Sequence, residues 1–110
     1  MKHYIGKRGP DGLCSIAVVT AASERSLNPR IDLANHSTTF EWSRPDNPMP
    51  GAAQAALAIL ADALEDERRA LSLYQDFKWR VLTPAHHNGW TLSHEDILAI
   101  VTEMESEYAA

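Results

Sequence analysis

Cysteine and long apolar runs are both nearly absent from this sequence. Cys14 is the only cysteine in 110 residues, so no disulfide can form within the chain and nothing requires an oxidising compartment. No apolar run approaches the ~20 residues that span a bilayer, and residues 1–8 lack the apolar stretch of a secretory signal. We therefore expect a cytoplasmic protein that makes no contact with membranes.

The motifs of common catalytic and cofactor sites are also missing. The sequence has no Gly-rich phosphate loop, no nucleophile elbow around a serine and no Cys-x-x-Cys pair. His86, His87 and His94, followed by Glu95, do not have the spacing of zinc ligands on a helix. We expect no enzyme activity, no metal and no cofactor, and a small hydrolase or metal enzyme using these histidines is the least favoured alternative.

The length and the composition are those of one small globular domain. A chain of 110 residues has room for one hydrophobic core, and 45% hydrophobic with 23% charged residues is ordinary for a folded protein. We expect residues 1–110 to form a single domain.

Basic residues are scarce in the second part of the chain. Residues 41–110 contain five basic and twelve acidic side chains, and the whole chain has a net charge of −5. Such a surface repels the phosphates of nucleic acid. It favours either a partner with a basic surface or no charged partner at all.

The N-terminal part has the pattern of a β-hairpin. Two runs, His3–Arg8 and Leu13–Thr20, flank Gly9–Gly12, where proline and glycine suit a tight turn. Apolar residues alternate along the second run, which places Cys14 in the core as a small apolar residue and not as a nucleophile. A third short strand is predicted at Arg30–Ala34.

The remaining elements are mostly helical. The alanine-rich run Ala52–Leu64 and the segment Arg68–Asp76 have helical spacing, and Ser93 has the position of an N-cap for a helix over His94–Glu107. Residues 77–83 alternate like a strand, with Trp79 inward and Lys78 and Arg80 outward. The predicted fold is α+β: an antiparallel sheet of three to four strands, from the hairpin and strand 77–83, packed against two to three helices.

The segment Asn35–Gly51 is predicted to be an ordered loop because it is rich in proline and polar residues. Phe40, Glu41 and Trp42 lie inside it. Aromatic residues in such a loop either pin it to the core, which we favour, or are displayed to a partner. Glu41 and Trp42 are therefore candidate contact residues.

The last predicted helix is acidic and contains no lysine or arginine. Its acidic side chains are either a solvated face or a surface for a basic partner. The candidate contact residues on it are Glu95, Asp96, Glu103, Glu105 and Glu107.

Several segments together resemble an uncharacterised family of small bacterial and phage domains. These are Asn35–Ser37, Phe40–Trp42, Ala55–Leu60 and above all Leu73–Trp79. The resemblance implies an α+β fold and association with mobile elements, but no activity. It departs after Trp42, where a Gly-rich stretch is expected and residues 43–50 stand instead, so an anion site made by glycine backbone is not expected here.

Two hypotheses follow. The first is a phage or mobile-element accessory protein that inhibits a host protein, as an anti-CRISPR or other anti-defence inhibitor does, by placing acidic surface on a basic nucleic-acid-binding surface. The alternative is a nucleic-acid-binding module that uses Lys78, Arg80 and the basic hairpin residues Lys2, Lys7 and Arg8. Exposed aromatic residues in the loop would also permit a homodimer.

Overall fold

Four antiparallel strands form one sheet in the computed structural model, which describes residues 2–43 and 49–109. The strands are β1 (His3–Arg8), β2 (Cys14–Val19), β3 (Glu24–Ser26) and β4 (Gly89–Ser93), in the order β3-β2-β1-β4. The predicted hairpin is confirmed: β1 and β2 pair from His3↔Val19 to Arg8↔Cys14. Its turn closes by a bond from Gly9 N to Leu13 O at 2.8 Å, and Gly12 supplies the positive φ of 85°.

One face of the sheet is covered by helices, as the alternation of the strands predicts. Tyr4, Ile16 and Val18 point to this face and are buried, and Cys14 is half-buried beside them. The helices are α1 (Pro50–Leu64), α2 (Glu67–Phe77) and α3 (His94–Ala109). The α+β class predicted from the sequence is therefore confirmed.

Helix α1 is the centre of the core. Nearly all of its side chains are buried, including the amide of Gln54. Because most of these residues are alanine, sheet, helices and loops can approach α1 from all sides. The helix ends where Glu65 adopts a left-handed φ of 52° and its N–H bonds to Ala61 O at 3.2 Å.

The predicted strand at residues 77–83 is wrong. This segment continues α2 as a π-helix, Lys78–Leu82, in which Thr83 N bonds to Lys78 O at 3.0 Å. The predicted orientation is reversed as well, since Lys78 is buried and Trp79 is 44% exposed. Helical spacing from Leu73 through Phe77 carries on into the segment, and an alternation over so few residues does not distinguish a strand from a helix.

Two further strands differ from the prediction. The third strand is Glu24–Ser26, whereas residues 30–33 form a turn in which Leu33 N bonds to Arg30 O at 3.0 Å and Arg30 has a positive φ of 57°. The fourth strand, Gly89–Ser93, was not predicted. β3 contains little apolar sequence, so sequence periodicity carries almost no signal for it.

The start of α3 is as predicted. Asp96 N donates to Ser93 Oγ at 2.9 Å and Ser93 N donates to Asp96 Oδ2 at 3.0 Å, a reciprocal cap. Ile97, Val101 and Met104 are buried, whereas Leu98 is 39% exposed. Among residues 2–43 and 49–109, no helix is long and apolar enough to span a membrane.

The loop before α1 is pinned to the core. Trp42 is fully buried and Phe40 is half-buried against the core. Residues 44–48 of the predicted loop lie outside the described residues. Pro50 and Gly51, placed in the loop by the sequence, are the first residues of α1.

Candidate functional site

Helix α3 displays its acidic residues on more than one side. At about 100° per residue, Asp96, Glu103 and Glu107 lie within roughly 40° of one another around the helix axis, with Asp96 between the other two. Glu95 is on the adjoining exposed side, and Glu105 is on the opposite flank. The five predicted contact residues therefore do not form a single face.

Glu105 and Glu107 bind arginine residues of the same chain. Arg69 Nη2 lies 2.8 Å from Glu105 Oε1, and Arg80 Nη2 lies 2.6 Å from Glu107 Oε1. The hydrogen bonds from Arg80 lower the pKa of the Glu107 carboxyl below its ordinary value. These two carboxylates tie α3 to α2 and the π-helix.

Arg80 also binds the carboxylate of Asp76, with Nε 3.0 Å from Asp76 Oδ1. The hydroxyl of Tyr108 donates to the other oxygen of Asp76 at 2.7 Å. Arg80, mainly, and Tyr108 thus lower the pKa of the Asp76 carboxyl. The seam between the two helices is a network whose members already have partners.

The carboxylate of Asp96 already has a partner, because it accepts from Ser93 N in the N-terminal cap of α3. Glu95 and Glu103 have no comparable partner among the described residues. The backbone N–H and then the hydroxyl of Ser93 lower the pKa of the Asp96 carboxyl. Glu95 and Glu103 are exposed and make no ion pair with another described residue. Of the five candidates, these two are the most available to a partner.

Glu41 and Trp42, the other two candidates, hold the loop in place. Glu41 Oε1 accepts from Arg8 Nη2 at 2.7 Å and from Trp42 N at 3.0 Å. Trp42 Nε1 donates to His87 O at 3.1 Å, and the guanidinium of Arg8 lies 5.6 Å from the centre of the Trp42 ring. Trp42 is 0% exposed, which agrees with the favoured interpretation that this aromatic residue pins the loop to the core.

The acid–base properties of this loop region fit a structural role. Burial opposes ionisation of Glu41, but hydrogen bonds from Arg8 and from the backbone N–H of Trp42 lower its pKa overall. Burial, and then the negative charge of Glu41, raises the pKa of the Cys14 thiol to about 11. The thiol is therefore protonated at neutral pH, as expected for a structural cysteine.

The basic residues proposed for nucleic-acid binding do not form a free basic surface. Lys78 is buried, with Nζ 4.6 Å from the centre of the Trp79 ring. Lys2 pairs with Asp62, Arg8 with Glu41, and Arg80 with Asp76 and Glu107. Within the described part of the chain, Lys7 is the only one of these five cations that is exposed and without an ion pair.

Asp62, near the end of α1, is the centre of a second charged cluster. Arg25 Nη2 lies 2.6 Å from Asp62 Oδ1, while Lys2 Nζ and the Tyr4 hydroxyl lie 3.3 Å and 2.5 Å from Oδ2. Burial alone would raise the pKa of Asp62, but these donors lower it, and burial with the bond to Asp62 strongly raises the pKa of Tyr4. An open cleft of about 540 Å³ lies beside the cluster.

A second open cleft, of about 450 Å³, lies between the end of α1 and the start of α3. Lys2, Glu65, His94 and Glu95 line it. Nδ1 of His94 is buried and has no hydrogen-bond partner among the described residues. In the same residues, no group of three histidine, cysteine, aspartate or glutamate side chains is arranged to hold a metal ion.

Gln54 and Asp62 are the important polar residues that sequence reasoning missed. Gln54 Oε1 accepts from the backbone N–H of His36 at 2.8 Å, and its Nε2 donates to Pro29 O at 2.5 Å. Both residues interrupt an alanine-rich helix. The sequence signal for both residues is a polar side chain within a helix that is otherwise apolar on all sides. Such a side chain is expected to have hydrogen-bond partners, because buried polar groups nearly always do.

The fold and these clusters define a small α+β domain with an internally paired set of cations and an acidic C-terminal helix. The chain belongs to DUF6166, a family of unknown function, whose sequence model matches residues 4–103. The predicted resemblance to an uncharacterised family is thereby confirmed. No curated protein and no solved structure matches the chain.

Proposed function

We propose that this domain is an accessory protein of a phage or mobile element that binds a host protein and inhibits it. It acts by binding and not by catalysis. The target is a protein with a basic, nucleic-acid-binding surface, such as a component of CRISPR or another defence system, which the acidic side of α3 covers. The contact residues are Glu95 and Glu103, with Asp96 beside Glu103 on the helix surface.

The uneven use of charge in the fold is the observation that supports this proposal. Six cations of residues 2–43 and 49–109 are held in ion pairs with carboxylates of the same chain: Lys2, Arg8, Arg25, Arg30, Arg69 and Arg80. Glu95 and Glu103 are exposed carboxylates that make no such pair with any residue in the described part of the chain. Since the chain has a net charge of −5, the charge left for outside partners is mainly negative.

The surroundings of Glu95 and Glu103 suit a protein contact. Leu98 is 39% exposed on the side of the helix next to Glu95. Ala99, Thr102 and Ser106 are exposed and small, so a partner can approach the helix closely. Acidic residues around an accessible apolar group are the arrangement that a basic protein surface complements.

The nucleic-acid alternative has less support. Lys78 is buried, and Arg80, Arg8 and Lys2 have carboxylate partners, so binding to phosphates would require breaking these ion pairs. Of the basic residues proposed for nucleic-acid binding, Lys7 alone is exposed and unpaired within the described chain, and one lysine provides little positive surface for binding phosphates.

The test is an affinity capture from a nuclease-treated bacterial lysate that contains defence systems. Wild-type domain is compared with the double variant Glu95→Lys/Glu103→Lys. The wild type should retain a protein that is released by salt, and the double variant should not retain it, because like charges now face the basic surface.

A matched control is the pair Glu24→Lys and Asp11→Lys, which changes the net charge equally at exposed positions on the sheet side of the molecule. This control should retain the same protein. The proposal fails if both double variants lose the protein or if both retain it. It also fails if a parallel capture from lysate without nuclease recovers only nucleic acid.

A further inference from the structure

The cleft between α1 and α3 has two carboxylates at its edge that the fold leaves unpaired. Glu65 and Glu95 line it from opposite helices, both are exposed, and neither makes an ion pair with another described residue. Among the residues that the structure describes, Lys2 is the only lysine or arginine in the lining, and its ammonium is 3.3 Å from Asp62. The negative charge of the cleft therefore exceeds its positive charge.

We propose that this cleft receives one arginine side chain of the protein partner, an inference that rests on the proposed function and extends its surface from α3 to the end of α1. Glu95 belongs to both surfaces. The cleft walls are mostly apolar, which suits the methylene groups of arginine, and the planar guanidinium can bond to carboxylates on either side.

The shape of the cleft favours a side chain over a free small molecule. Its volume of about 450 Å³ is sufficient for a ligand, but the cleft is open to solvent. Sites for small ligands usually enclose most of the ligand surface, roughly 70–90%. A side chain held by a larger interface does not need such enclosure, because the partner covers the mouth of the cleft.

The cleft has a fixed geometry on both sides. Glu65 is at the left-handed C-terminus of α1, where its N–H bonds to Ala61 O. Glu95 is in the first turn of α3, directly after the Ser93–Asp96 cap, and His94 N bonds to Lys2 O at 2.8 Å. Since hydrogen bonds hold the backbone at both ends of the cleft, little backbone entropy is lost when a guanidinium binds.

The test is an NMR titration of the ¹⁵N-labelled domain with the peptide acetyl-Gly-Arg-Gly-amide. The matched probe is the same peptide with citrulline, which has the shape of arginine without its charge. We expect the arginine peptide to shift the amide signals of Glu65, His94 and Glu95 in a saturable way. The citrulline peptide should leave these signals in place.

The variant Glu65→Gln/Glu95→Gln should bind the arginine peptide with an affinity lower by roughly fivefold or more, as expected from the loss of two exposed ion pairs. Glu103→Gln, outside the cleft, should bind it like the wild type. Equal binding of both peptides, equal binding to the cleft variant, or shifts elsewhere on the domain would overturn the inference. Stronger binding of free spermidine than of the peptide would also overturn it, in favour of a polyamine site.

This titration is separable from the test of the proposed function, because it needs no host protein. The arginine peptide could bind in the cleft while Glu103→Lys leaves host-protein capture intact. That result would support the arginine site and contradict the proposed contact surface on α3. If the capture depends on Glu103 but the peptide does not bind, only the arginine assignment is wrong.

Discussion

Asp62 is the residue on which side chains from the sheet converge. Tyr4 in β1, Arg25 in β3 and Lys2 before β1 all donate to this one carboxylate of α1. Tyr4 is fully buried, so its hydroxyl has no access to water as an alternative partner. The cluster therefore fixes the sheet against the central helix.

Replacing Asp62 by Asn should destabilise the domain by about 2–3 kcal/mol at pH 7, because the buried Tyr4 hydroxyl and two cations lose a charged acceptor. The stability is measured by urea unfolding. Glu103→Gln, an exposed carboxylate outside any pair in the described chain, is the control and should change stability by less than about 0.5 kcal/mol. Equal effects of the two substitutions would contradict the role given to Asp62.

The same cluster predicts how stability depends on pH. The pKa of Asp62 is lowered from its ordinary 3.8 in the folded state, so its contribution is complete above that value and is lost as the pH falls through the folded pKa. Unfolding curves of the wild type should therefore lose stability below about pH 4 more steeply than those of Asp62→Asn. Parallel curves would show that Asp62 has no lowered pKa.

Gln54 is the buried amide that holds the loop before α1. Replacing it by Leu should cost about 2–4 kcal/mol, because the backbone groups of His36, Ser37 and Pro29 lose their partner. Hydrogen exchange of the His36 and Ser37 amides should become faster in the variant. Gln75→Leu, at an exposed position of α2, is the matched control and should leave both stability and exchange unchanged.

At the residue scale, the sequence predicts which apolar side chains are buried better than it predicts which polar side chains bind each other. Alternation along β2 and helical spacing in α3 indicate the buried faces on which Ile16, Val18, Ile97 and Val101 lie. The partners of Asp62, Glu105 and Glu107 are more than 25 positions away in the chain. No local pattern identifies such pairs, so the number of free carboxylates on α3 was overestimated.

At the scale of elements, the π-helix Lys78–Leu82 shows the limit of periodicity. Phe77, Trp79 and Val81 alternate with Lys78 and Arg80, yet tertiary contacts hold the segment as a continuation of α2. Arg80 reaches Asp76 and Glu107 only because the segment is helical. Local sequence signals are sufficient to predict a helix where composition or a capping residue favours it strongly, as in α1 and at the start of α3.

The cap of α3 provides a test at this scale. Ser93→Ala should lower stability by about 1 kcal/mol, because the N–H of Asp96 loses its acceptor. For a domain of this size, the melting temperature should fall by roughly 4–8 °C. Ser106→Ala, at an exposed position in the same helix, should leave it unchanged. A similar effect of both substitutions would contradict the capping role.

At the scale of the whole molecule, the fold pairs most of its cations and leaves acidic surface. Retention on heparin at about 0.15 M salt should therefore be absent, and fluorescence anisotropy should show no binding of single-stranded or duplex DNA. Lys7→Glu should change neither result. Binding that weakens linearly with the logarithm of salt concentration would instead favour the nucleic-acid alternative.

The proposed function requires the acidic side of α3 to cover a nucleic-acid-binding surface of a host protein. The most direct measurement is the affinity of the captured host protein for nucleic acid, by fluorescence anisotropy, with increasing amounts of the domain. We predict that the wild-type domain displaces the nucleic acid and that Glu95→Lys/Glu103→Lys does not. Simultaneous binding of domain and nucleic acid to the host protein, or equal displacement by the variant, would contradict the claim.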